Sequence, residues 1–131
     1  MLKKAALAVG AVFLLIGILG FIPLFAPLDP VENARLLLGI FEVDTLHNLI
    51  HILSGIAFLA AAGKERTARL AFQVFGVVYA LVTLIGFLTP DGANILGLFH
   101  ANLADDFLHL LLTAAFLYLG FGVPAERRAT V

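Results

Sequence analysis

Residues 38–59 read LGIFEVDTLHNLIHILSGIAFL, and residues 96–117 read LGLFHANLADDFLHLLLTAAFL. Laid side by side without a gap, Leu38, Gly39 and Phe41 fall on Leu96, Gly97 and Phe99. His51 falls on His109, and Ala57, Phe58 and Leu59 fall on Ala115, Phe116 and Leu117. His47 and Asn48 fall on Asp105 and Asp106. The two stretches hold nearly all the polar chemistry of an oily chain. Their likeness points to a helix pair used twice, which brings two polar clusters together.

Composition sets the class. Hydrophobic residues make up 62% and charged residues 13% of the 131 residues, against about half and about a quarter in soluble proteins. The excess is concentrated in four apolar runs, 5–25, 46–62, 68–88 and 107–123. Each approaches the roughly 20 residues with which an α-helix crosses about 30 Å of hydrocarbon. These runs fill the chain as a single integral membrane domain over residues 1–131, whose partner is the lipid bilayer. A net charge of -1 offers no basic patch for nucleic acid. With no cysteine there is no disulfide, thiolate metal site or cysteine nucleophile. Met1 is the only methionine, which excludes thioether copper sites as well.

Lys3 and Lys4 ahead of the first run resemble the start of a signal peptide. The run is longer than a usual signal core, however, and no small-x-small cleavage site follows it. Gly10, Leu15, Gly20 and Phe21 also match Gly76, Leu81, Gly86 and Phe87 of the third run, so a retained membrane helix is expected. Lys64, Arg66 and Arg69 lie between the second and third runs, Arg127 and Arg128 follow the fourth, and only Arg35 falls on the other side. Basic residues mark the cytoplasmic side. Both termini are therefore expected in the cytoplasm, at the inner membrane. The outer side receives Asp29, Glu32, Glu42, Asp44, Asp91, Asp105 and Asp106. The four histidines, His47, His51, His100 and His109, also fall in the outer half.

The expected fold is all-α, a four-helix transmembrane bundle of two parallel helix-pair repeats, about 5–63 and about 68–123. Parallel repeats are related by an axis along the membrane normal. In an up-down-up-down bundle that axis sets the second and fourth helices on one diagonal. In the first outer loop, DPVENARLLLG predicts a short interfacial helix. Asp29 suits its N-cap, Pro30 its first position and Gly39 its C-terminal cap, with Leu36, Leu37 and Leu38 on one face. Pro90-Asp91-Gly92 marks a turn in the second outer loop.

Leu46, His47, Asn48 and His51, echoed by Asp105, Asp106 and His109, form an LHNxxH pattern at the start of a membrane helix. In this the chain resembles a family of small four-helix bacterial membrane proteins classed only as a domain of unknown function. The resemblance covers about residues 6–119. It departs at Asp106, where an asparagine like Asn48 is expected. It implies the fold and no activity.

His47 and His51 are four residues apart and share a helical face, and Asp105 and His109 repeat that spacing. If the twofold holds, His47, His51, Asp105 and His109 converge near the outer end, with Asn48 and Asp106 beside them. Imidazole and carboxylate at this spacing suit Zn²⁺, Fe²⁺, Mn²⁺ or Cu²⁺, and haem is a further candidate. Ionisable residues inside a membrane are costly, which favours a function for them. A plainer reading stands beside this one. Asp44 or Thr45 caps the second helix, Asn102 caps the fourth, and Asp105 and Asp106 favour its dipole. His51 and His109 then hydrogen-bond Asp106 and Asn48 across the bundle. His100 has no histidine counterpart and reads as a loop residue.

No Ser-His-Asp set, phosphate loop or dinucleotide fingerprint is present. The expected function is non-catalytic: a small membrane binding or accessory protein with an outer-facing divalent metal site. The alternatives are a structural subunit of a larger membrane complex or homo-oligomer, and a small transporter or redox protein built on the same cluster. Gln73, Thr83 and Thr113 are the few polar residues in the inner halves of the runs, which argues against a transport path.

Overall fold

The apolar runs form helices, and the segments joining them at one end form short strands. A computed structural model describes residues 1–30, 34–90 and 94–124. Among these residues the helices are α1 (Leu2–Leu19), α2 (Thr45–Ala61), α3 (Glu65–Leu88) and α4 (Leu103–Leu117). The last continues as a π-helical turn, Tyr118–Gly122. Three helices, Leu2–Leu19, Glu65–Leu88 and Leu103–Gly122, are long and apolar enough to cross a membrane. The fourth, α2, has 17 residues and is shorter than the other three spans.

Packing is tightest within two pairs, α1 with α2 and α3 with α4. Lipid tails are as apolar as leucine, so membrane helices associate through close van der Waals fit, which small residues allow. A Cβ on Gly10 would lie 2.9 Å from the Gly55 carbonyl oxygen, and one on Gly55 would lie 2.6 Å from the Leu14 nitrogen. Those glycines let the α1 and α2 backbones touch. On the other pair, a Cβ on Gly76 would meet Leu117 Cδ2 at 2.9 Å and its nitrogen at 3.1 Å. Phe58, Phe72 and Phe116 fill the space between the pairs, with ring centroids 5.2–5.6 Å apart.

At one end of the molecule the Met1 amine lies 2.8 Å from the Glu65 carboxylate. The carbonyls freed by the π-helical turn are taken by α3 at this same end. Gly120 O accepts from Gln73 Nε2 at 3.0 Å, and Val123 O accepts from Arg69 Nη1 at 2.6 Å. Arg127 and Arg128, expected on this side, lie outside the described residues.

At the opposite end, β1 (Leu28–Asp29), β2 (Ala34–Leu37) and β3 (Phe41–Val43) form an antiparallel sheet in that order. The segment between α3 and α4 holds an antiparallel pair, β4 (Asn94–Ile95) and β5 (Phe99–His100). The short interfacial helix expected over 29–39 is therefore corrected. Asp29, expected as its N-cap, pairs with Ala34 in the sheet, and Leu37 pairs with Phe41. The cause lies in the turn. Leu38 and Gly39 both have positive φ, 54° and 74°, and Ile40 N–H bonds back to Leu37 O at 3.1 Å. Paired positive φ values mark the tight hairpin turn whose twist matches antiparallel strands. Gly39 is thus a turn glycine and not a helix cap. Leu96 and Gly97 repeat the conformation at 53° and 71°. Glu32, Asp91 and Gly92 lie outside the described residues.

Each of these two segments seats a small apolar core on the helix ends. Leu37, Val43 and Ala26 pack beside Ile16 and Leu19, and Ile95, Phe99 and Ala101 beside Ile50, Val82 and Ile85. Burying such a side chain is worth about 1.5–3 kcal/mol, enough to hold the strands over the helices.

Candidate metal centre

The start of α2 is set by Asp44, whose Oδ1 accepts the His47 backbone N–H at 2.7 Å as an N-cap. This puts His47 in the first turn and His51 one turn deeper, their rings stacked at 4.7 Å. The start of α4 is set by a capping box. Asn102 Oδ1 accepts the Asp105 backbone N–H at 3.1 Å, and Asp105 Oδ2 accepts the Asn102 N–H at 3.1 Å. Asp105 Oδ2 also takes the backbone N–H of Glu42 at 3.0 Å, tying α4 to β3.

Three of the four expected ligands come together. His47, His51 and His109 are 2%, 8% and 4% exposed. Each offers a ligand nitrogen, and the three lie within 4.8 Å of one another. Asp105 is not in that group. Its carboxylate carries the cap of α4 and the tie to β3. Asn48 and Asp106 take matching places on the flanks. The Asn48 side chain lies against Gly20, and the Asp106 side chain lies against Gly86, so that no Cβ fits at either glycine. The Nδ1 atoms of His51 and His109 are buried without a hydrogen-bond partner among the described residues.

The tautomer of His47 follows from one contact. Its Nδ1 lies 3.0 Å from the His100 carbonyl oxygen, which only accepts. In that contact Nδ1 carries the proton. A backbone carbonyl orienting a ligand histidine in this way is a common outer partner of metal sites. Each imidazole is also backed by an aromatic ring. Phe13 meets His51 edge-on at 5.5 Å, Tyr79 meets His109 edge-on at 5.3 Å, and Phe99 lies 5.1 Å from His47.

His100, expected as a loop residue, binds the two strand-bearing segments together. Its N–H donates to Asp44 Oδ2 at 2.8 Å, and its ring Nδ1 lies 3.3 Å from Glu42 Oε1. The signal was present in the opening alignment, where Glu42 and His100 occupy the same column with complementary chemistry. In chemical terms the centre is a set of three neutral nitrogen donors in an aromatic shell. Nitrogen donors of this kind suit borderline transition metals better than Ca²⁺ or Mg²⁺, which prefer oxygen.

The family described as Domain of unknown function (DUF4383) matches residues 3–122, and the chain belongs to that family. No curated protein and no solved structure matches the chain.

Proposed function

We propose, starting from that membership, that this is a small non-catalytic integral membrane protein that holds a divalent metal ion between His47, His51 and His109. The observation that carries the reading is the convergence of three buried imidazoles from two helices, with two Nδ1 atoms left unpartnered. A purely structural role leaves those atoms at a cost of about 1–3 kcal/mol each. The donors suit Zn²⁺, Cu²⁺ or Fe²⁺, and without a carboxylate the set is poorer for Mn²⁺. A tetrahedral ion with bonds of about 2.0–2.1 Å wants ligand atoms roughly 3.4 Å apart, so the rings draw inward on loading.

The surroundings are read as a single domain of two helix pairs in the cytoplasmic membrane, with both termini inside and the centre near the outer surface. Paired contacts support the reading of one unit used twice: Gly10 with Leu59 and Gly76 with Leu117, Gly20 with Asn48 and Gly86 with Asp106. The Met1–Glu65 contact supports a common side for the N-terminus and the α2–α3 connection. Fully buried Phe58, Phe72 and Phe116 support a sealed inner half over a transport path.

Metal analysis and thermal unfolding of the purified protein test the function. One Zn²⁺ or Cu²⁺ per chain is expected, with a stability gain of about 2.7 kcal/mol at a hundredfold excess over Kd. Uptake falls as pH drops, because protons compete for the imidazole nitrogens. His51→Ala with His109→Ala abolishes binding, whereas His100→Ala keeps the carbonyl that holds His47 and retains it. Protein that neither takes up these ions nor is stabilised by them overturns the reading, and the histidines are then packing residues.

A further inference from the structure

We propose that an ion at His47, His51 and His109 keeps one coordination position for a small anion, so that the centre is an anion receptor and not a closed structural site. This rests on the reading of the three histidines as metal ligands.

Closed zinc sites use four protein ligands, and open ones use three. Among the described residues only three side chains converge. Asp106 is not grouped with the three histidines and lies against Gly86, and three further carboxylates of the surrounding segments are engaged in hydrogen bonds or an ion pair. Asp44 accepts the His47 N–H on one oxygen at 2.7 Å and the His100 N–H on the other at 2.8 Å. Asp105 Oδ2 accepts two backbone N–H groups, at 3.0 and 3.1 Å. Glu42 is held to the His100 ring at 3.3 Å. Drawing Asp44 or Asp105 onto the ion would strip acceptors from the backbone donors that start α2 and α4.

Charge and size define what fills the fourth position. Three neutral imidazoles leave a divalent ion's charge uncompensated, in a weakly polar surrounding where opposite charges attract strongly. A singly charged anion halves it. The rings of Phe13, Tyr79 and Phe99 stand 5.1–5.5 Å from the imidazole centroids. Aromatic rings packed this closely favour an ion of a few atoms, of the hydroxide, halide or azide class.

The protein in detergent and chloride-free buffer is loaded with Co²⁺, and its visible spectrum is followed as sodium azide is added. The expected result is the strong absorption of four-coordinate cobalt, shifted saturably by one azide per ion. A cobalt spectrum that azide leaves unchanged overturns the open position while the three-histidine ion stands. A spectrum that ignores azide but changes on Asp105→Asn identifies a carboxylate as the fourth ligand, and also overturns it. Failure to take up either Co²⁺ or Zn²⁺ overturns the metal reading and this one with it.

Discussion

Gly17 and Gly55 stand in the first helix pair where Thr83 and Thr113 stand in the second. A Cβ on Gly17 would lie 2.8 Å from the Asn48 carbonyl oxygen, and one on Gly55 would lie 2.8 Å from that of Gly10. The first pair is therefore joined by bare backbone in contact. In the second pair the two threonine hydroxyls lie 3.1 Å apart. Thr113 Oγ1 donates to the His109 carbonyl at 2.8 Å, so the hydroxyl of Thr83 donates to Thr113. One pair reaches close fit by removing side chains, and the other reaches it by a chain of hydroxyls ending on the backbone of a candidate ligand. A membrane, where hydrophobic exclusion does not drive helices together, accepts both solutions. The N-terminal ends of α2 and α4 differ in the same spirit. His47 presents a nitrogen to the centre, while Asp105 at the matching place holds a cap and a strand.

If the first pair depends on backbone contact, the largest effect belongs to Gly55→Leu. It is expected to cost about 3 kcal/mol or more, at the top of the overpacking range. Denaturant unfolding in micelles measures this, with Gly63→Ala as a control, since a Cβ there meets nothing closer than 4.0 Å. A loss no larger than the control's breaks the contrast. Next comes Asp105→Ala, which strips the acceptor from two backbone N–H groups and is expected to cost about 1–3 kcal/mol. Metal stoichiometry should remain that of the parent protein. A lost ion would make position 105 resemble position 47 after all. The smallest effect is that of Thr83→Val, expected near the average of about 0.6 kcal/mol for hydrogen bonds between membrane helices. A cost several times greater would mean that the hydroxyl chain holds His109 in place, and metal affinity should then fall with it.

The helices, their pairing and the histidine trio were legible in the sequence because each rests on a local regularity. Apolar runs of sufficient length dictate helices, and the spacing of His47 and His51 dictates a shared face. The gapless match of His51 with His109 brought in the third ring. What was not legible depended on backbone conformation and on partners far along the chain. Leu36, Leu37 and Leu38 suit a helix face as well as a strand. Only the positive φ of Leu38 and Gly39 decides for a hairpin, and a leucine there gives no warning, since Asn-Gly is the usual sign. Asp105 has the right spacing from His109 to be a ligand. It is diverted by the Glu42 N–H, 63 residues away, a demand no local pattern displays. The importance of His100 was hidden because its carbonyl, and not its ring, meets His47.

That carbonyl has a consequence for the order of events during synthesis. His47 is turned toward the centre by a group 53 residues further along the chain. At ordinary translation speeds the first helix pair waits about 3 to 10 s for that group to be made. During this interval the nascent chain carries two adjacent imidazoles with neither the orienting carbonyl nor the third ring. An ion meeting it then finds a weak and unselective chelate, and is free to leave. Under the metal reading, loading is confined to the finished fold, and the half-made protein is not locked around an ion before its second pair arrives.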